Sequence, residues 1–214
     1  MNFSFFRRRT PAVRTRTDLL NQLISTHGYR RYLEIGVRNP RQNFDRVVVA
    51  EKHGVDPEPQ RPISHRMTSD EFFARHKSEG GTPYDLAFID GLHLSAQVEK
   101  DALNCLDNLS PDGMVILHDC NPLTEDAQTE DYDGKKDWNG TVWKAWMKLR
   151  ATRTDLWMAV VDIDEGCGVI RRGTQATYPL PVPDANQLSY AFLAKHRREA
   201  LNLISVEEFQ RLVG

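Results

Sequence analysis

Four carboxylates lie at or just past the ends of short apolar runs: Glu34 in RYLEIGV, Asp56 in HGVDP, Asp90 in YDLAFIDGLH and Asp119 in GMVILHDCN. Two histidines accompany them, His93 three residues beyond Asp90 and His118 immediately before Asp119. Carboxylates accept hydrogen bonds from sugar hydroxyls and bind divalent cations through oxygen. Imidazole titrates near neutrality and can take a proton from a reacting hydroxyl. Gly36 follows Glu34, and Asp56 comes twenty residues later. An acid-x-Gly after one strand and an acid after the next is how a doubly wound α/β sheet prepares a nucleoside site. The glycine lets the backbone approach the ligand, and the later acid accepts from ribose hydroxyls.

The elements that must position these residues can be read from apolar spacing. Thr17 is expected to cap a helix with Leu19, Leu20, Leu23 and Ile24 on one face, ended by Gly28. Residues 32–35 form a first strand, and residues 41–50 read as a helix with Phe44, Val47 and Val48 inward. Val55 lies in a short second strand. Ser69, followed by Asp70 and Glu71, predicts a helix over 70–78. Strands follow at 84–89 and 114–118, separated by a helix opening at Ser95 and a turn at Pro111-Asp112-Gly113. Residues 123–140 are acidic and polar and read as a mobile loop or lid. Thr141 then caps a helix carrying Trp143 and Trp146 three residues apart, a spacing that favours core packing. Residues 156–163 and 167–172 are two strands joined by Asp164-Glu165-Gly166, a hairpin connection.

Alternating strands and helices ending in an antiparallel hairpin predict an α/β fold: a doubly wound, mostly parallel sheet with an antiparallel last strand. Ligands in such sheets bind outside the carboxyl ends of the strands, where Asp56, Asp90, His93, His118 and Asp119 fall. The expected division is a basic arm over 1–14, one α/β domain over 15–173, and a Pro-rich linker with a helical extension over 174–214. Pro179, Pro181 and Pro183 mark the linker. A helix near 186–203 follows, and Ser205 with Glu208 makes a capping-box pattern for a last helix. The extension is expected to pack on the domain or on a second copy in a homodimer.

The 214 residues suffice for one sizeable core. A formal charge of −2 gives no reason to expect nucleic acid as partner. Arg7-Arg8-Arg9 beside Phe3, Phe5 and Phe6 reads as a solvated arm, and no continuous apolar segment follows to make a signal peptide or a membrane span. Cys105, Cys120 and Cys167 are odd in number and widely spaced, which fits a reducing cytoplasm and argues against a disulfide framework.

With these elements placed, the chain resembles a class I S-adenosylmethionine-dependent methyltransferase over roughly residues 15–173. FIDGLH followed by a helix and then LSPDGMVILHDCNP resembles the small-molecule O-methyltransferase branch, which includes macrolide-sugar and catechol methyltransferases and cephalosporin hydroxylase-like proteins. The resemblance implies a Rossmann-like fold, S-adenosylmethionine as cofactor and, as in many members, magnesium. It implies that Glu34 and Gly36 lie against the amino-acid portion and sugar of the cofactor, Asp56 binds the ribose, and Met67, Ser69 and Asp70 border the adenine. Asp90 then lies near the methionine end and shares a metal with Asp119. Members usually carry further glycines after the first; here Val37-Arg38-Asn39-Pro40 follow Gly36, and Arg38 brings charge to where the cofactor carboxylate would lie.

Methyl transfer from a sulfonium needs an acceptor oxygen held in line and made more nucleophilic. Asp90 and Asp119, on neighbouring strand ends, could anchor a magnesium ion for that task; the competing reading makes them caps and turn residues. His93 ranks ahead of His118 as base, because strand alternation over 114–119 points His118 and Asp119 to opposite faces and leaves one of them to pack. Trp138, between Asp137 and Asn139-Gly140, is expected to line the substrate space together with His118. The expected activity is methylation of a hydroxyl on a small molecule or sugar. The alternative is a catalytically inactive or hydroxylase-like relative, acting as a binding or docking module in a biosynthetic assembly.

Overall fold

A computed structural model describes residues 12–213 except 133, 135 and 136; the Phe- and Arg-rich opening and Asp133 lie outside the described residues. The elements run α1 (Arg16–His27), β1 (Arg31–Ile35), β2 (Glu51–Val55), α2 (Ser69–Ser78), β3 (Tyr84–Ile89), α3 (Ser95–Asp107), β4 (Leu109–Leu117), α4 (Val142–Thr152), β5 (Leu156–Val161), β6 (Cys167–Arg172), α5 (Tyr190–Leu201), β7 (Leu203–Ile204) and α6 (Val206–Val213). The seven strands form one sheet in the order β2-β1-β3-β4-β6-β5-β7. β2, β1, β3 and β4 are mutually parallel, and β6 runs antiparallel to both β4 and β5. This is the expected doubly wound, Rossmann-like sheet with its antiparallel strand.

Side chains alternate between the faces, as a pleated strand requires. Leu33, Ile35, Ala87, Ile89, Val115 and Leu117 pack under α2–α5, whereas Tyr32, Leu86, Phe88, Met114 and Ile116 pack under α1 and α6. Trp143 and Trp146 are fully buried in the first layer, the core role their spacing predicted. From β1 the chain first builds β2 on one side and then crosses to β3 on the other. The switch between β1 and β3 opens a crevice at their carboxyl ends.

Several local expectations need correction. Residues 41–50 are not an α-helix but two short 3-10 turns, Pro40–Gln42 and Phe44–Arg46. Val47 is buried but Val48 is exposed, so the valine run does not supply one helical face. Asn43 between the turns is a buried polar node, accepting from Thr17 Oγ1 at 2.7 Å and donating to Glu34 Oε2 at 2.9 Å. The cap of α1 is therefore Thr15, in a capping box with Asp18, while Thr17 is buried. Thr68 rather than Ser69 caps α2, boxed with Glu71. Thr141 does not cap its own helix; its hydroxyl accepts from Ser95 N–H at 2.8 Å and so serves the start of α3. Pro111–Gly113 lies within β4 instead of preceding it.

The C-terminal segment is woven into the same body. β7 pairs in parallel with β5, and Trp146 Nε1 donates to Leu201 O at 3.2 Å. Leu193, Ala200 and Leu201 join the layer under α4, and Phe209 of α6 packs with the α1 layer. Ser205 and Glu208 form the reciprocal hydrogen bonds of the expected capping box.

Candidate functional site

The crevice at the switch point is a cavity of about 760 Å³. Gly36 and Arg38 line it from the loop after β1, Asp56 from the end of β2, and Ser69 and Asp70 from α2. Asp90 and His93 line it from the segment after β3, with Trp138 from the loop before α4. Residues far apart in sequence thus meet because parallel strands deliver their ends to one edge of the sheet.

Gly36 has φ +94°, and a Cβ there would stand 2.1 Å from the Asp90 carbonyl oxygen. The glycine is therefore required by the close approach of the β3 end, whatever the cavity holds. Asp56 is nearly buried, and its Oδ1 accepts from Glu58 N–H at 2.7 Å. Arg38 is exposed at the rim and leaves the cavity open. Asp70 is exposed and paired with Lys100 Nζ at 2.6 Å. Gln97 and Asp101 of α3 also line the crevice, and burial raises the Asp101 carboxyl above its ordinary range.

Two of the expected cofactor residues fall elsewhere. Met67 packs against the core beside the crevice and does not line it. Glu34 is buried toward the α1 layer, accepting from Tyr32 Oη at 2.6 Å as well as from Asn43. Burial outweighs these hydrogen bonds and pushes its carboxyl up to about 7.

At the floor stands a charged cluster. His93 Nε2 is 3.3 Å from Asp90 Oδ1, and His93 Nδ1 is 3.4 Å from Asp119 Oδ2. His118 Nδ1 stands 3.3 Å from Asp90 Oδ1 and 3.1 Å from Asp119 Oδ2. His118 and Asp119 thus share one side, against the alternation expected for 114–119. Asp119 has φ +60°, a left-handed turn that swings its side chain back toward His118. Asp90, His93 and Asp119 each offer a ligand atom, all within 4.8 Å of one another.

Arg16 and Asp164 close the cluster from behind; spacing had not singled them out. Asp164 Oδ1 is 3.6 Å from His118 Nε2 and 3.1 Å from Arg16 Nη1. Burial alone would discharge His118, but Asp90 and Asp119 outweigh it and hold its pKa well above the usual histidine range. Burial likewise opposes ionisation of Asp90, and His118 and His93 overcome it, holding that carboxyl well below its usual range. The same contest, won by His118 and Arg16, brings Asp164 down to about 2. His93 is raised more modestly by Asp90 and Asp119 against its burial. The carboxylates around His118 favour its charged form, Arg16 Nη1 stands 3.3 Å from its Nε2, and the ring does not line the cavity.

The loop before α4 completes the site. Trp138 stacks on His93 with ring centroids 5.0 Å apart and planes at 16°, and its carbonyl lies 3.3 Å from His93 Nδ1. Asn139, also unforeseen, donates from Nδ2 to Asp119 Oδ1 at 2.7 Å, and its own Oδ1 is buried without a hydrogen-bond partner among the described residues. Asn139 and Asp164 lie in Asn-Gly and Asp-Glu-Gly sequences that signal turns, and nothing local distinguishes a turn that faces a site from one that faces solvent.

No curated protein matches the chain by sequence. Residues 21–120 match a family described as a methyltransferase domain. Among solved structures, an O-methyltransferase from Bacillus cereus, in complex with S-adenosylhomocysteine, is 14% identical with a TM-score of 0.52, over 76% of this chain and 81% of that one. A Staphylococcus aureus protein described as of the caffeoyl-CoA O-methyltransferase type is 16% identical with a TM-score of 0.51, over 77% and 86%. The Podospora anserina methyltransferase PaMTH1, bound to S-adenosylhomocysteine, is 14% identical with a TM-score of 0.50, over 77% and 80%. Residues 21–120 thus match a methyltransferase-domain family, and the sheet has the Rossmann-like architecture that these solved O-methyltransferase structures share.

Proposed function

We propose that this protein transfers the methyl group of S-adenosylmethionine to a hydroxyl of a small molecule or sugar, with a magnesium ion held by Asp90 and Asp119. One observation carries the reading. Asp90, His93 and Asp119 converge within 4.8 Å, and two of them line the crevice that Gly36 and Asp56 also line. The donor set fits the ion: magnesium binds through oxygen and keeps several waters, and two carboxylates suffice to anchor it. The unpartnered Asn139 Oδ1 beside Asp119 adds a further oxygen to the neighbourhood. A cavity of about 760 Å³ is of the size that small-molecule cofactors occupy.

When bound, the sulfonium cofactor supplies an activated methyl group, and the divalent ion makes a neighbouring hydroxyl more acidic. The chain's own residues do the rest. Asp56 accepts from the ribose hydroxyls, Ser69 and Asp70 border the adenine, and Arg38 at the rim attracts the carboxylate of the amino-acid arm. Asp90 and Asp119 fix the acceptor's cation. His93, on the crevice wall with Asp90 and Asp119 beside its two ring nitrogens, takes the acceptor proton on its imidazole. Trp138 fixes the imidazole plane by stacking and covers it from water. His118 supports the carboxylates from behind rather than acting as a second base or a substrate contact, since it is buried against Asp90 and Asp119 and does not line the cavity. Three free, buried thiols agree with a cytoplasmic setting, and no helix of the described residues is long and apolar enough to cross a membrane.

Calorimetric titration with S-adenosylmethionine, with and without magnesium, tests the reading. Micromolar binding, roughly −8 kcal/mol, is expected. Asp56→Ala should weaken it roughly ten- to a hundredfold with the unfolding midpoint unchanged, the scale of one or two hydrogen bonds to a charged group. Asp119→Ala should keep cofactor binding and lose metal-dependent turnover of hydroxylated acceptors. Absence of binding under both conditions would return the chain to the docking-module alternative.

A further inference from the structure

Helix α5 reaches the segment that follows β4 through Arg197 and Tyr190. Arg197 Nη1 donates to Asn121 Oδ1 and, at 2.8 Å, to Pro122 O, while Nη2 donates to Tyr190 Oη at 3.3 Å. Tyr190 Oη in turn donates to Leu123 O. Three successive residues leaving the end of β4 are thus held from α5. Asn121 is buried and also donates from Nδ2 to Asp162 Oδ1 at 3.2 Å. A planar guanidinium serves such divergent acceptors at once; an ammonium is a single point charge.

Residues 121–123 are the root of the loop that returns to the site. Its first half supports its second: Ala127 O accepts from Asn139 N–H at 2.7 Å and Gly140 N–H at 3.1 Å, and Thr129 O accepts from Trp138 Nε1 at 2.9 Å. The second half carries Asn139 on Asp119 and Trp138 on His93. We propose that Arg197, together with Tyr190, is a positioning residue: it fixes the root of the 121–140 loop and thereby the placement of Trp138 and Asn139 over the charged cluster. The proposal deepens the methyltransferase reading and rests on it for the purpose of that placement. The contacts of Arg197 go to this segment and to Tyr190, whereas α5 is docked through Leu193, Ala200 and Leu201, so the helix keeps its own anchorage without the arginine. Coupling through packed contacts needs direct evidence.

Arg197→Ala and Arg197→Lys, in the full chain, provide it. A protease that cuts after glutamate probes the loop at Glu125 and Glu130, and S-adenosylhomocysteine titration probes the crevice. Both variants should be cut in the loop faster than wild type by at least roughly tenfold, the factor for losing one charge-assisted hydrogen bond from a local opening equilibrium, since Arg197→Ala removes three such bonds and Arg197→Lys at least one. Melting temperature should stay at the wild-type value, and S-adenosylhomocysteine affinity should fall by no more than the loop-opening factor, because Trp138 is one wall of the crevice while its walls on β1, β2 and α2 do not touch Arg197. Unchanged loop cleavage would overturn the proposal. So would a fall in melting temperature that accounts for the faster cleavage, which would make Arg197 a general brace of the tail. Wild-type protein that fails to bind S-adenosylhomocysteine defeats the methyltransferase reading while leaving the cleavage comparison to decide the clamp.

Discussion

Glu34 illustrates how a residue's neighbours replace its expected role. Its place in Leu-Glu-Ile-Gly pointed to the cofactor, yet its carboxyl is turned toward Tyr32 and Asn43. Burial raises it from an ordinary 4.5 to about 7, which corresponds to roughly 3 kcal/mol. Below the unfolded-state value both states hold the proton. As pH rises toward the folded value the unfolded chain releases a proton that the folded chain keeps, so this group's contribution to stability falls. Glu34→Gln keeps an oxygen acceptor and removes that decline. Urea unfolding from about pH 5 to about pH 8 should therefore favour the variant progressively over wild type, by up to roughly 3 kcal/mol. Parallel stability profiles would show that Glu34 ionises freely. His118 and Asp164 carry the same lesson: each was visible in the chain, but their mutual charge stabilisation exists only once β4, the β5–β6 turn and the start of α1 meet.

Strand ends and the loops leaving them decide which residues become a site. The position of Gly36 could be read from its spacing to Asp56, although the reason for a glycine there could not. The loop after β1 crosses so near β3 that an added methyl group would strike the Asp90 carbonyl, in a backbone conformation that already disfavours side chains. Gly36→Ala should destabilise the fold by at least about 2 kcal/mol in denaturant unfolding. It should also weaken S-adenosylmethionine binding, since relief must come from moving the Asp90 segment; a variant as stable as wild type would contradict this geometry. The 41–50 segment failed as a helix because Asn43 is needed as a buried hydrogen-bond node beneath β1, a demand that no local propensity encodes.

For the whole molecule, the C-terminal segment adds a seventh strand to the sheet and a buried aromatic to the α1 layer. Phe209 is fully buried, and Phe209→Ala should cost about 3–5 kcal/mol. The loss should appear as one cooperative transition moved to lower denaturant, followed by circular dichroism and by tryptophan fluorescence. A separate early transition confined to the tail would instead make residues 203–213 an independent appendage. The two-residue β7 escaped the sequence reading because so short an edge carries no periodicity; its pairing with β5 is created by the docking of α5 and α6.

The sequence by itself determined the alternation of strands and helices, the two-faced sheet and the strand ends that would carry Asp56, Asp90 and Asp119. Apolar periodicity and turn chemistry are local, and together they leave few ways to bury the faces they define. Only the tertiary structure decided that His118 is buried between carboxylates behind the site, that Asp119 turns back beside it, and that Asn139 and Asp164 belong to the surroundings of the same cluster. Those roles depend on distances between distant segments and on the low-dielectric interior in which their charges meet, and neither quantity exists along the chain.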